Sequence, residues 1–202
     1  MIGIHTREIQ YDDAFSIFLA RQDLGNIIKG TAADTMPPLY YFLLHFWQGM
    51  SDHLVFLRLL SVGLSLIGWL IAVDLARRMF GMRTAIVAGV LLAISPLQIY
   101  HSQDLRMYAL LLTGHLAYYW FFYRIFEEKK GGACPWIGLI VSGAIAMYSH
   151  ALGGFGLIWA NLYLLWKRRW NDQIRLIKAQ AIIGLVYLPW AFLLPGQIAK
   201  VQ

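Results

Sequence analysis

The sequence is poor in charged residues and has almost no cysteine. Only 14% of its 202 residues are charged, whereas 59% are hydrophobic and the mean hydropathy is +0.55; soluble domains carry about 25% charged residues. The single cysteine, Cys134, excludes a disulfide within these residues and a cysteine metal cluster. No Walker loop, GxGxxG fingerprint, nucleophile elbow or zinc signature occurs. These absences exclude the soluble enzyme classes that such motifs mark, and the apolar surplus indicates that lipid is the solvent.

Six apolar segments predict a helical bundle in a membrane. A helix needs about 20 mostly apolar residues to cross a hydrocarbon core about 30 Å thick, and these segments qualify or nearly do so. The expected fold class is therefore all-α: a polytopic transmembrane helical bundle of about six spans, with two juxtamembrane helices on the outer face. We assign residues 1–56 to an outer loop that carries these two helices, and residues 57–202 to the bundle. The six segments are residues 57–75, 84–100, 107–126, 136–148, 155–166 and 179–194.

Residues 12–50 predict two helices that lie against the membrane surface. Phe15, Phe18 and Leu19, followed by Ile27 and Ile28, fit a helix lying in the interface. The run at 37–47 is apolar but too short to cross, and its two leading prolines suit the first turn of a helix, where missing N–H groups cost little. We expect this segment to hold polar chemistry against the membrane.

The distribution of charge predicts the orientation of the bundle. Loops 77–83, 124–130 and 167–178 hold eleven of the 17 basic residues, and short loops rich in Lys and Arg stay in the cytoplasm. The opposite, outer side then carries seven of the eleven acidic residues. The net charge of +6 is thus explained by topology, and nucleic-acid binding is not needed to account for it. Six spans would place both termini outside, yet residues 1–10 contain no signal peptide, so we expect a further span upstream and a longer parent protein.

Six charged or titratable side chains recur at the predicted outer face. Charges near hydrocarbon are costly and, where retained, often functional. Each also has a structural interpretation. Asp12 and Asp13 could cap a helix, and Asp34 could belong to a turn. Asp104 and Arg106 could pair across a surface turn, and His150 could be an interfacial hydrogen-bonding residue. The six side chains are Asp12, Asp13, Asp34, Asp104, Arg106 and His150.

Five short motifs follow one another along the chain: YDDAFS at 11–16, DTMPPLYY at 34–41, RLLS at 58–61, SPLQIYHSQDLRMYAL at 95–110 and YSH at 148–150. Together they resemble the protein-O-mannosyltransferase-like branch of the GT-C glycosyltransferases, including bacterial lipopolysaccharide-core and arabinose-transferring relatives. The sequence departs from the family pattern in having Asp13 and Asp104 for glutamates, Met36 for a histidine and Leu105 for an alanine. The acid changes keep the charge but shorten its reach, whereas Met36 removes a polar or metal contact.

The resemblance implies an enzyme that transfers a sugar from polyprenyl phosphate to a glycan, lipid or protein acceptor. It would be an integral protein of the plasma (inner) membrane, with its active site on the extracytoplasmic face, and the anomeric configuration would invert. Asp12 is then the expected general base, Asp13 supports it, and Asp34 contacts the acceptor or a metal. The use of a divalent metal varies among relatives, and no other cofactor is implied. The residues expected to bind the donor phosphate or sugar are Arg58, Tyr40, Asp104, Arg106 and His150.

Two other classes compete with this interpretation. In a transporter, Asp104 and Arg106 would line a permeation path, but such proteins normally hold polar groups near the midplane, and here the strong charges are predicted at one face. The chain could instead be a non-catalytic membrane fragment or subunit, which the expected loss of the first span would favour. An upstream apolar segment in the parent gene would count against that second alternative.

Overall fold

The computed structural model describes residues 10–34 and 36–193, and within these ranges the chain forms ten α-helices and no strand. The predicted all-α fold class is thereby confirmed. The helices are α1 (Tyr11–Ala20), α2 (Leu24–Ala33), α3 (Leu39–Gln48), α4 (Leu54–Phe80), α5 (Met82–Ile94), α6 (Pro96–Ser102), α7 (Tyr108–Phe126), α8 (Ala133–Ser149), α9 (Gly153–Trp166) and α10 (Trp170–Ala191).

Fewer helices are long and apolar enough to cross a membrane than the six that the sequence predicts. Among the described residues, α4 with 27 residues and α10 with 22 meet both conditions, and the pair α5–α6 would be a third if it forms one bent span. α7 is long enough, but its tyrosines, Trp120, His115 and Arg124 lower its hydropathy. α8 is apolar but has only 17 residues, and α9 has 14. Six full spans are therefore not confirmed, because several of the apolar segments are short or interrupted.

The predicted segment 84–100 breaks in its middle. α5 ends at Ile94 and α6 begins at Pro96, with a bend of 63° between them. Proline supplies no N–H for the preceding turn, and it forces the residue before it out of helical conformation; Ser95 accordingly has φ −63° and ψ 119°. Pro96 itself occupies the first turn of α6, where its missing donor costs nothing. After the bend, α6 packs against α4, α5 and α7.

The core of the bundle lies along α7, which packs against α4 and α8, while α10 packs against α8 and α9. Tyr118, Leu139, Leu164 and Leu176 are almost fully buried where these helices meet. A Cβ on Gly114 would lie 3.1 Å from the Ala146 backbone nitrogen, so glycine allows α7 and α8 to approach closely. Small residues make such contacts in membrane helices, where van der Waals packing replaces the hydrophobic effect.

The segment before α4 forms three short helices rather than the predicted two. α1 ends near Arg21, and Asp23 starts α2 by accepting a hydrogen bond from the Asn26 amide at 2.9 Å. An aspartate at the N-cap satisfies one of the free amides of a new helix. α3 packs against α1, α4 and α8 and buries Tyr40, Tyr41 and Leu44 completely. These helices form one layer over the end of the bundle where α4 begins.

The opposite end of the bundle holds the basic loops together. Arg78 of α4 donates to Glu128 at 2.7 Å, and the Tyr123 hydroxyl donates to the Arg78 carbonyl at 3.1 Å. Arg169, just before α10, pairs with Glu127. The turns at 81, 127–132 and 167–169 therefore lie at one end, and α1–α3, the turn at 103–107 and the turn at 150–152 lie at the other. The separation of basic loops from acidic motifs that the sequence predicts is present in the fold.

Candidate functional site

A fully buried carboxylate joins three segments that are far apart in sequence. Asp13 Oδ2 of α1 lies 3.5 Å from Arg58 Nη2 of α4, and both side chains are 0% exposed. Asp13 Oδ1 accepts a hydrogen bond at 3.0 Å from the amide of Leu105, in the turn between α6 and α7. Buried charges are tolerated when they are paired and hydrogen-bonded, as here. This contact fixes α1 and the 103–107 turn against the start of α4.

The same contact brings the predicted catalytic motifs together. Asp12 is exposed next to Asp13 on α1, and Asp104 and Arg106 flank Leu105 in the turn. Arg106 is 8% exposed; its Nη1 donates to the Tyr41 hydroxyl at 3.4 Å, and its Nε is buried without a hydrogen-bond partner among the described residues. A guanidinium is therefore held beside Asp12 with one donor unused.

Asp34, at the end of α2, completes this cluster, which we call the acidic cleft (Asp12, Asp34 and Arg106). Burial raises the pKa of Asp34, the Arg106 charge lowers it, and the charge of Asp12 raises it further. One oxygen of the carboxylate, Oδ2, is buried and has no hydrogen-bond partner in the described part of the chain. Buried polar atoms are rarely unsatisfied in folded proteins unless water or a ligand completes them. Asp34 Oδ2 and Arg106 Nε are thus an acceptor and a donor that no group in the described part of the chain satisfies.

Beside the cleft, a row of rings leads from Asp104 to His150. His101 Nδ1 lies 3.6 Å from Asp104 Oδ2, and the His101 ring lies 4.7 Å from that of Tyr108, which lies 6.0 Å from His150. His150 Nδ1 accepts a hydrogen bond from the Leu152 amide at 3.0 Å. Burial lowers the pKa of His150, and the Arg106 charge lowers it further. His150 is therefore a neutral imidazole near neutral pH, with its Nε2–H available as a donor.

Three of the predicted site residues lie in the interior rather than at the cleft. Asp13 and Arg58 neutralise each other, as described above. The Tyr40 hydroxyl is 2.9 Å from Ser61 Oγ, and the Tyr40 side chain is fully buried. The structure instead brings Tyr41, the next residue of the same motif, to Arg106. His101 and Tyr108 were not predicted as site residues, although both belong to the motif at 95–110 that contains Asp104 and Arg106.

No metal-binding group is evident in the described ranges, where no three Asp, Glu, His or Cys side chains come together as ligands. Met36, which stands where the family pattern has histidine, packs among apolar side chains that include Tyr41 and Leu44. The Met36 side chain is therefore part of the apolar packing beneath α1 and α2 rather than a polar contact.

Comparison with known protein families gives a match over most of the chain. The family model described as dolichyl-phosphate-mannose-protein mannosyltransferase matches residues 35–192 of this chain. This range contains Arg58, Asp104, Arg106 and His150 but not α1 and its two aspartates. No curated protein and no solved structure matches the chain.

Proposed function

Since the chain belongs to the dolichyl-phosphate-mannose-protein mannosyltransferase family, whose members are membrane glycosyltransferases of the GT-C type, we propose that it transfers a sugar from a polyprenyl-phosphate donor to a hydroxyl acceptor. The observation that supports this most directly is the acidic cleft, where a carboxylate and a guanidinium are held together with unused hydrogen-bonding atoms. In the reaction, the acceptor oxygen forms a bond to the anomeric carbon while the bond from that carbon to the phosphate oxygen breaks. The acceptor proton passes to the base, the polyprenyl phosphate leaves, and the anomeric configuration inverts.

Asp12 is our choice for the base. Its carboxylate is exposed at the start of α1, where an acceptor can reach it, whereas the Asp13 carboxylate is shut off from ligands by its two partners. A general base must lie within hydrogen-bond reach of the proton that it removes. Asp13 and Arg58 then act as positioning residues, because their buried pair sets where Asp12 stands relative to the 103–107 turn.

Arg106 is our choice for the residue that stabilises the leaving group. As the bond to phosphate breaks, negative charge develops on the phosphate oxygen, and a preorganised cation with a free donor lowers the energy of that state most. Arg106 Nε is buried and unused among the described residues, and the Tyr41 hydroxyl holds the other side of the guanidinium. His150 adds a neutral N–H donor. Asp34 Oδ2 is placed to accept a hydrogen bond from a sugar or acceptor hydroxyl.

We further propose that the cleft faces away from the cytoplasm, because the basic loops lie at the other end of the bundle. The native cysteine tests this, since Cys134 is exposed at the start of α8 beside one of those loops. In spheroplasts, a membrane-impermeant maleimide is expected to label Cys134 only after permeabilisation. The matched control is Met50→Cys in a Cys134→Ser background: Met50 is 72% exposed at the cleft end and should label without permeabilisation. The reverse pattern would contradict the proposed orientation.

The function is tested by Asp12→Asn in the intact membrane protein. Loss of a general base typically slows a reaction by 10²–10⁴-fold, and we expect that loss in transfer from a purified polyprenyl-phosphate sugar. Asn keeps the size of Asp and can serve at a helix N-terminus, so thermal melting should not change. The control is Asp23→Asn, another exposed aspartate at a helix start in the same layer, which should keep full activity. Normal transfer by the Asp12 variant would refute the assignment of the base.

A further inference from the structure

A groove runs beside α6, between α4 and the bend that joins α5 to α6. Two adjoining cavities of about 440 and 270 Å³ form it, and three residues, Ser65, Leu92 and Gln98, line both. Most of the remaining wall is apolar, and it includes Leu66, Trp69, Ala93, Leu97 and Leu112. The volume and the apolar lining suit a hydrocarbon chain.

The groove reaches the start of the 103–107 turn. The larger cavity is lined at one end by Gln103, the residue before Asp104, and the smaller by His101, whose Nδ1 lies 3.6 Å from Asp104 Oδ2. A molecule whose chain lies in the groove would therefore present its polar end at the 103–107 turn, next to Asp12 and Arg106.

The hydroxyl of Ser65, a residue that lines both cavities, indicates which class of lipid the groove suits. Ser65 is 7% exposed, and its Oγ is buried without a hydrogen-bond partner in the part of the chain that the structure describes. A helical serine usually bonds the carbonyl four residues earlier, and Ser16, Ser142 and Ser149 each do so. Ser65 does not, so a buried hydroxyl is left over where the two cavities meet. Burying a hydroxyl without a partner is unfavourable.

An isoprenoid chain carries no hydrogen-bonding atom and would leave Ser65 Oγ unsatisfied, whereas an acylated lipid has a carbonyl at the top of each chain. Ser65 lies seven residues beyond Arg58 on α4, which is about 10 Å along the helix. Because Arg58 contacts Asp13, which binds the Leu105 amide, Ser65 lies about that distance below the 103–107 turn. The hydroxyl therefore favours an acyl chain over the isoprenoid of the donor.

We propose that this groove binds an acyl chain of a lipid acceptor, with a chain carbonyl accepting a hydrogen bond from Ser65 Oγ. The inference rests on the proposed function and names its acceptor class: a lipid with ester- or amide-linked chains and a hydroxylated headgroup. The headgroup oxygen bonds to the anomeric carbon of the donor sugar, its proton goes to Asp12, and the polyprenyl phosphate departs.

The test compares two probe lipids that differ only in the carbonyl. Equilibrium binding of diacyl phosphatidylglycerol and of its dialkyl-ether analogue is measured on the intact protein in detergent. We expect the ester lipid to bind about fivefold more tightly, the effect of one net hydrogen bond. Ser65→Ala should remove this preference without affecting folding, because the hydroxyl has no partner to lose. Ser142→Ala is the control, since Ser142 Oγ already bonds the Gly138 carbonyl, and it should keep the preference.

A second pair of variants tests the location. Leu92→Trp fills the groove, and we expect it to weaken binding of both lipids at least tenfold. Leu91→Trp makes the same change on the neighbouring residue, which is 59% exposed outside the groove, and should have no effect. Equal binding of ester and ether lipids by the unmodified protein would overturn the inference, as would equal effects of the two tryptophan variants.

Displacement of the ester probe by polyprenyl phosphate would show instead that the groove holds the donor, and would also overturn the inference. None of these binding measurements depends on transfer. Asp12→Asn should abolish transfer and retain the ester preference, so failure of the proposed function and failure of the lipid inference give different results.

Discussion

Two charged clusters at opposite ends of the bundle, one around Asp74 and one around Asp34, differ in how fully their atoms are hydrogen-bonded. At the basic end, the Asp74 carboxylate accepts hydrogen bonds from Arg77, Arg78 and Trp120, at distances from 2.5 to 3.1 Å. At the other end, the charges of Asp34 and Arg106 interact. Asp34 Oδ2 and Arg106 Nε are nevertheless buried without a hydrogen-bond partner in the described part of the chain. Charged groups whose hydrogen bonds are all made within the protein hold helices together. Charged groups with unused hydrogen-bonding atoms can bind a ligand. We therefore interpret the first group as structural and the second as functional.

The largest expected effect comes from the buried pair that supports the cleft. Arg58→Met leaves Asp13 as an uncompensated buried charge, and breaking such a pair costs about 3–5 kcal/mol. We expect a steep loss of folded protein in the membrane and a lower melting temperature for what remains. Adding Asp13→Asn removes the orphaned charge and should recover part of the stability. If Arg58→Met alone melted normally, the pair would not be the support that we describe.

Arg106→Ala should lower sugar transfer, whereas the matched change at the basic end should not. Removing one group that stabilises developing charge typically lowers turnover by 10²–10³-fold, and the donor should also bind more weakly, because the same cation meets the phosphate in the ground state. Arg78→Ala is the matched change at the basic end. It should lower the melting temperature and leave kcat and KM for the polyprenyl-phosphate sugar near normal. Equal losses of transfer in the two variants would erase the distinction between the ends.

Asp34→Asn should have the smallest effect, and one that depends on pH. Because burial raises the pKa of Asp34, the folded state holds its proton more tightly than the unfolded state does. Stability from this group is present below the unfolded pKa of 3.8 and is lost as the pH rises through the folded pKa. The melting temperature of Asp34→Asn relative to the unmodified protein should therefore increase across that interval. A difference that is constant with pH would show that Asp34 is not desolvated.

Much of the fold could be predicted from the sequence, because hydropathy and charge act over many residues at once. The long apolar helix α4 and the placement of basic loops at one end follow from such averages. The break at Pro96 was not predicted, since proline is tolerated inside many membrane helices and only packing decides whether a given one splits its helix.

The site could be predicted only as a set of segments. The motif order predicted that residues near 12, 34 and 105 belong together, and in the structure Asp13 accepts a hydrogen bond from the Leu105 amide. It could not assign Asp12 and Asp13 to their different surroundings, because neighbours on a helix point about 100° apart and the direction that faces the protein depends on how α1 docks. The same reason explains why the sequence could not show that Tyr41 contacts Arg106 while its neighbour Tyr40 contacts Ser61.

The hydrogen bond from the Leu105 amide to Asp13 also has a consequence for how the protein is made. It joins positions 92 residues apart, so the link cannot form until the ribosome has synthesised α2 to α6 and the turn that follows them. Contacts of such long sequence separation form late, because chain entropy must be lost before they contribute. We therefore expect a nascent chain to remain without a working cleft until this one contact closes, however complete its early membrane helices are.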